Sequence, residues 1–209
     1  YSNESNVMDL KMESMKGLYK GTKTLYVHAN YASDISDAID VCNLYKIKKI
    51  VLVGAEDALK VSDKIKENNI SIILNRIHRL PKNEDENIYA PFSQAKKLSE
   101  LGILYCLSYE GDMEAMGARN LPFTAGTTVA YGLDYELAVQ SISLNAAKIL
   151  GVDNKIGSIE INKEATFFIS DGDALDIRSN NVTHIFIKGN SISTDNHQKR
   201  LFNKYRKNK

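Results

Sequence analysis

The chain has 209 residues, 43% hydrophobic and 25% charged, enough for a sizeable core in one or two domains. A net charge of +1 gives no reason to invoke nucleic acid, and no apolar run approaches the ~18 residues of a membrane span. The basic tail, Lys199 to Lys209, reads as a solvated end.

The chain opens on YSNESNVMDL, without an initiator Met or a signal-peptide pattern. It reads as a piece that begins within a longer protein, so the compartment is unknown. Residues 8–19 carry apolar side chains at near-helical spacing, and Gly21 ends that segment. TLYV, residues 24–27, is a short apolar run that reads as a buried strand closing on His28. Residues 33–45 are amphipathic through Ile35, Ala38, Ile39 and Cys42, with Ser33 as the predicted N-cap. KIVLV (49–53) is a second strand, 55–68 a helix, ISIIL (70–74) a third strand, 91–101 a helix stopped by Gly102, and 103–107 a fourth strand. Apolar strands alternating with helices predict a parallel sheet covered on both faces.

Two long helices are predicted next, over 120–132 and 134–150. After Gly151 the pattern changes to short β runs, IGSIEI, ATFFIS, VTHIFIK and NSIS, punctuated by Gly, Asn and Asp. Cys42 and Cys106 both sit in apolar patterns and read as buried thiols. Neither a G-x-x-x-x-G-K-[ST] nor a G-x-G-x-x-G pattern occurs, so phosphate-loop nucleotide binding has no support.

The stretch LSYEGDMEAMGARNLPFTAG places Glu110, Asp112, Glu114 and Arg119 just past the fourth strand, where α/β folds bind ligands. Glu110 reads either as a catalytic carboxylate or as the ion-pair partner of Arg119. Asp112 and Glu114 read as loop or cap residues, and Asn120 as a helix cap at the same mouth. Arg76 and His78 follow the third strand; Arg76 fits a bidentate clamp on a substrate carboxylate or an ion pair to the acidic loop NEDEN. His28 reads as a ligand or as a hydrogen-bonded strand-end residue. His184 and His197 read as structural or solvent-facing.

SLNAAKILGVDNKIGSIEINKEATFFISDGDALD, residues 143–176, resembles the barrel-to-sandwich exit of the amidohydrolase superfamily, in particular its imidazolonepropionase-like branch. The family pattern there is T-x-N-x-A-x-x-L-G followed by G-x-I-x-x-G-K-x-A-D, and VTHIFIKGNSI matches its closing strand pair. The resemblance runs from about Asp9 to Ile192. It implies an α/β fold: the second half of a TIM-type (β/α)8 barrel over residues 1–150, part of an accessory β-sandwich over 151–193, and a basic tail over 194–209. TLYVH would be barrel strand five, KIVLV six, ISIIL seven and ILYCL eight.

The same resemblance implies a metal-dependent hydrolase of non-peptide C–N bonds, acting on a small cyclic or linear amide. His28 would be a metal ligand, and Glu110 would be ligand and catalytic base in place of the family's Asp. Arg76, His78, Arg119 and Asn120 would contact substrate. Gly54 stands where the family carries a second histidine, so the resemblance implies at most one divalent ion, zinc or similar, or none. The first four strands and their ligands are missing. The implied partners are therefore a small-molecule substrate and the N-terminal half of the same protein or a second chain, in an oligomer. The other reading is a degenerate relative that binds a small molecule or protein and completes a barrel.

Overall fold

The computed structural model describes residues 9–82, 84–109 and 113–206. Helix α1 (Leu10–Lys20) starts where the Asp9 carboxylate accepts from the backbone N–H of Lys11 (2.8 Å) and Met12, and stops at Gly21 in the left-handed conformation. Strands β1 (Leu25–Ala29), β2 (Ile50–Gly54), β3 (Ser71–Leu74) and β4 (Tyr105–Leu107) pair parallel in the order β1-β2-β3-β4. Between them run α2 (Ala32–Leu44), a 3-10 turn (Ala58–Val61) leading into α3 (Ser62–Glu67), and α4 (Ala90–Glu100). Strand order follows chain order without reversal. The sheet therefore lacks the switch point of a doubly wound fold, and its order is the one found around a barrel wall.

The helix-facing side of the sheet is the core. Ile35 and Ile39 of α2, Leu52 of β2, Ile65 of α3, Ile72 of β3 and Leu98 of α4 are all fully buried. The opposite side differs from the two-sided cover predicted from sequence. Helix α8 (Leu144–Leu150) closes only part of it, through Ile149 against Val51 and Cys106, while Tyr26 and His28 stand exposed. The strands are apolar on both sides, yet the described residues supply helices enough to cover one.

Cys42 and Cys106 are free and buried, as predicted. Burial raises both thiols, Cys106 to about 11.

Beyond β4 come α5 (Glu114–Gly117), a 3-10 turn (Ala118–Asn120), α6 (Leu121–Ala130), α7 (Tyr135–Ser141) and α8. The single helix predicted over 134–150 is thus two helices. Ser143 breaks it at φ −132°, ψ −89°, with its hydroxyl donating to the Val139 carbonyl at 2.7 Å. Strands β5 (Phe167–Ser170), β6 (Val182–Ile187) and β7 (Asn190–Ile192) form a separate antiparallel sheet in that order. IGSIEI, predicted as a β run, forms no strand, and the tail folds as an exposed helix α9 (His197–Arg206). A hydrogen bond from the Tyr135 hydroxyl to Asp173 (2.7 Å) ties α7 to the loop after β5, and raises the phenol to about 12. Among the described residues no helix is long and apolar enough to cross a membrane.

Candidate functional site at the strand exits

The register sets Ala29, Gly54, Leu74 and Leu107 in one row across the four strands. The residues that follow them, Asn30, Ala55, Asn75 and Ser108, therefore leave the sheet along one edge, the C-terminal one. His28 sits one step inside that edge on the uncovered face, opposite Val53 of β2. The exits of β1 and β4 are three strand spacings apart, about 14 Å along the sheet. Both reach one small ligand only across a curved sheet. Glu110 and Asp112 lie outside the described residues, as does Asn83 of the acidic loop; Ser108 and Tyr109 mark where the chain leaves β4.

Arg76, two residues past β3, lays its guanidinium over the Tyr109 ring, 5.3 Å from the centroid. Tyr109 in turn occupies the space over Gly117, where a Cβ would meet its ring. Among the described residues Arg76 makes no ion pair, so the predicted bridge to the acidic loop is absent there. The carboxylate of Glu86 in that loop instead accepts from the Lys82 backbone N–H at 2.9 Å.

His78 bonds through Nε2 to the Thr127 hydroxyl at 2.9 Å and packs its ring 5.9 Å from Phe92. Thr127 already donates to the Phe123 carbonyl, so it accepts from His78, which fixes the proton on Nε2. Desolvation first, then the nearby Arg76 charge, lower the His78 pKa. Arg119 is exposed and Asn120 half-buried. Asn120 precedes α6 but makes no side-chain cap bond, because a 3-10 turn already runs into the helix. Ser33 is likewise not the cap of α2: the helix starts at Ala32, whose N–H is met by Asp57 from the next loop at 3.2 Å.

The loop after β2 carries features the sequence did not signal. Gly54 has φ +96°, and the Asn30 carboxamide fills the space where its Cβ would project. Ala55 follows at φ +50°, held by Gln94, which is 3% exposed and donates both amide hydrogens, to the Ala55 carbonyl (3.1 Å) and the Glu56 carbonyl (3.0 Å). The Glu56 carboxylate meets Lys82 Nζ at 2.8 Å and Arg79 Nε at 3.7 Å. The Lys82 ammonium makes no well-angled hydrogen bond; its charge is balanced by Glu56 and by the Tyr31 ring face, 4.0 Å away. The available signal was an Asn two residues past His28 and another just past β3, flanking a strand that ends in Gly.

His28 is the one ligand-type group at the exit of β1, and Gly54 offers none at the exit of β2. Among the described residues no three His, Cys, Asp or Glu side chains converge. These residues do not by themselves fit a metal ion.

The sequence profile described as "Amidohydrolase family" matches residues 13–192. The imidazolonepropionase of Symbiobacterium thermophilum is 27% identical over 159 residues, covering 76% of this chain and 35% of that protein. The imidazolonepropionase of Syntrophobacter fumaroxidans is 31% identical over 85 residues, covering 40% of this chain and 19% of its own length. An amidohydrolase structure from Thermotoga maritima superposes with a TM-score of 0.78 at 25% identity, over 91% of this chain and 48% of that one. The chain thus spans about half or less of the proteins it matches.

Proposed function

Because this chain belongs to the amidohydrolase family, we propose that it forms the C-terminal half of a hydrolase of non-peptide C–N bonds, with a small cyclic or linear amide as substrate. The observation that carries the reading is His28, exposed on the uncovered face at the C-terminal edge of a sequentially ordered parallel sheet. Residues 1–150 are its half barrel, 151–193 its share of a β-sandwich, and 194–209 a basic tail.

Members of this family bind divalent metals such as zinc. His28 would be this chain's contribution to such a site and Gly54 would offer none, so the proposal is at most one ion. Glu110 accepts the proton of the attacking water through its carboxylate. Arg76, its face supported on Tyr109, orients a carboxylate-bearing substrate. His78, Arg119 and Asn120 are the other proposed substrate contacts.

The N-terminal half, on the same or a second chain, covers the open face of the sheet. Tyr26 and His28, exposed on that face, support this; Ile159 and Ile161, 85% and 93% exposed in a segment that joins no sheet among the described residues, support a neighbour for the β-sandwich part.

Gly54 favours a second reading, a degenerate relative that binds a small amide without cleaving it. Metal analysis of the complete protein separates the two. One ion per barrel, lost in His28→Ala together with amide hydrolysis, is the result expected of the hydrolase. Two ions, or unchanged metal in His28→Ala, would remove His28 and the atypical site from the proposal. Amide binding without turnover would establish the degenerate relative.

A further inference from the structure

Helix α9 (His197–Arg206) begins where the Asn196 carboxamide accepts from the Lys199 backbone N–H at 2.9 Å. All ten of its residues are exposed. With 3.6 residues per turn, Leu201, Phe202 and Tyr205 fall within an arc of about 100°. They stand 40%, 60% and 61% exposed, so the arc faces water rather than a core.

The rest of the helix surface is cationic. Residues 197–209 hold six of the 27 Lys and Arg and none of the 26 Asp and Glu. The remainder of the chain is therefore net acidic, and the positive charge is concentrated in this one segment. Arg200 pairs with Asp195 at 3.6 Å, and Lys199 Nζ donates to the Thr194 carbonyl at 3.0 Å. Lys204 and Arg206 have no acidic partner among the described residues. Each lies over a ring of the arc instead: Lys204 Nζ is 5.3 Å from the Tyr205 centroid, and Arg206 Cζ 5.6 Å from that of Phe202. Cations thus border the apolar arc on both sides.

We propose that α9 docks on a bilayer surface rich in anionic lipid and lies in the plane of its headgroups. This goes beyond the hydrolase reading and does not depend on it. Leu201, Phe202 and Tyr205 enter the boundary between headgroups and acyl chains, while Lys204 and Arg206 lay their stems on that apolar surface and reach lipid phosphates on either side. Charge complementarity selects this occupant. Each cation near an anionic leaflet adds to binding, and no acidic side chain of the segment opposes it. A groove on an acidic protein fits less well, because helix-in-groove binding uses anchors at i, i+3, i+4 and i+7, and here the anchors span a single turn. A nucleic acid would use the cations and leave the arc in water.

The complete protein is mixed with vesicles of phosphatidylcholine, alone or with about 30% phosphatidylserine, and the bound fraction is read by flotation. Binding to the anionic vesicles should be at least about tenfold tighter than to the neutral ones, and should weaken as salt is raised. The double variants Leu201→Ser/Phe202→Ser and Lys204→Gln/Arg206→Gln should each lose about tenfold or more. Both should keep the parent's urea midpoint, since α9 contributes to no core. No binding, equal binding to the two vesicles, or binding indifferent to salt would overturn the proposal. So would anionic-vesicle binding that survives Leu201→Ser/Phe202→Ser, which would identify a charge-only contact of the kind a nucleic acid makes. If that variant instead lowered the oligomeric state in light scattering and left vesicle binding intact, the arc would belong to a second copy, and the membrane assignment would fall.

Discussion

In the parallel sheet Leu52 and Ile72 are sealed from solvent at 0% exposure, whereas in the antiparallel sheet Phe168 and Ile169 stand 47% and 46% exposed. Among the described residues after Gly151, only Leu175 is buried. The antiparallel strands carry more polar residues, Thr183, His184, Asn190 and Ser191 among them, but Phe168 and Ile169 are as apolar as Leu52 and Ile72, so composition alone does not separate the sheets. Cover does: α2, α3 and α4 lie on one face of the parallel sheet, whereas Leu175 packs into that same core beside Gly126 of α6 and no residue of β5-β6-β7 joins a buried cluster. The first unit seals one face of its sheet with its own helices, while the second leaves its apolar side chains partly in water.

The largest effect should come from the sealed unit. Leu52→Ala is expected to lose about 2–5 kcal/mol, the usual range for emptying a buried Leu site. Phe168→Ala in the same chain should lose under about 1 kcal/mol, since its ring is already half in water. Urea unfolding of both variants measures the contrast. Similar losses would mean that the antiparallel sheet is as self-sufficient as the parallel one. Ile161→Ser sharpens the point: it should be near neutral in this chain and destabilising in the complete protein.

Much of this division is legible in the sequence. The strands fall within about two residues of their predicted positions, because β-branched apolar runs between helical patterns leave few alternatives. The family pattern's glycine after G-x-I is Asn162 here, and it keeps the left-handed conformation at φ 71°, which Asn tolerates. The misses have two causes, a partner distant in sequence and a local side-chain bond that competes with the helix. Asp57 caps α2 from beyond β2, and Ser143 breaks a helix by bonding its own carbonyl ladder. His28, Arg76, His78 and Arg119 could be named from their places after strands. The amide cluster of Asn30, Asn75 and Gln94 could not, because it exists only once three loops meet at Gly54.

The next effect should arise at that meeting point. Gly54→Ala combines a φ of +96° with a steric conflict against Asn30, and should cost about 1–3 kcal/mol. Adding Asn30→Gly should recover the steric part and leave the backbone part, an interaction that a double-mutant cycle by thermal or urea unfolding reads directly. Strict additivity would mean that the two positions are independent. A smaller loss, about 1 kcal/mol, is expected for Glu56→Gln, because Lys82 and Arg79 lose a shared carboxylate at a partly solvated rim.

The smallest expected effect is a dependence on pH confined to the rim. Burial lowers the His78 pKa below its unfolded value, with Arg76 adding to the shift. The unfolded chain then binds more protons than the folded one, so the His78 contribution is fully present above the unfolded pKa of about 6.5. It is lost as pH falls through the lower folded value. His78 is exposed on one side, so the slope should be shallow. His78→Asn should flatten the fall in urea midpoint between pH 7 and 5 relative to the parent, while leaving the midpoint at pH 8 nearly unchanged. A variant whose pH profile ran parallel to the parent's would show that acid sensitivity arises elsewhere. The carboxylates of the helix-covered unit would then be the place to look, and the rim would cease to be the weaker partner.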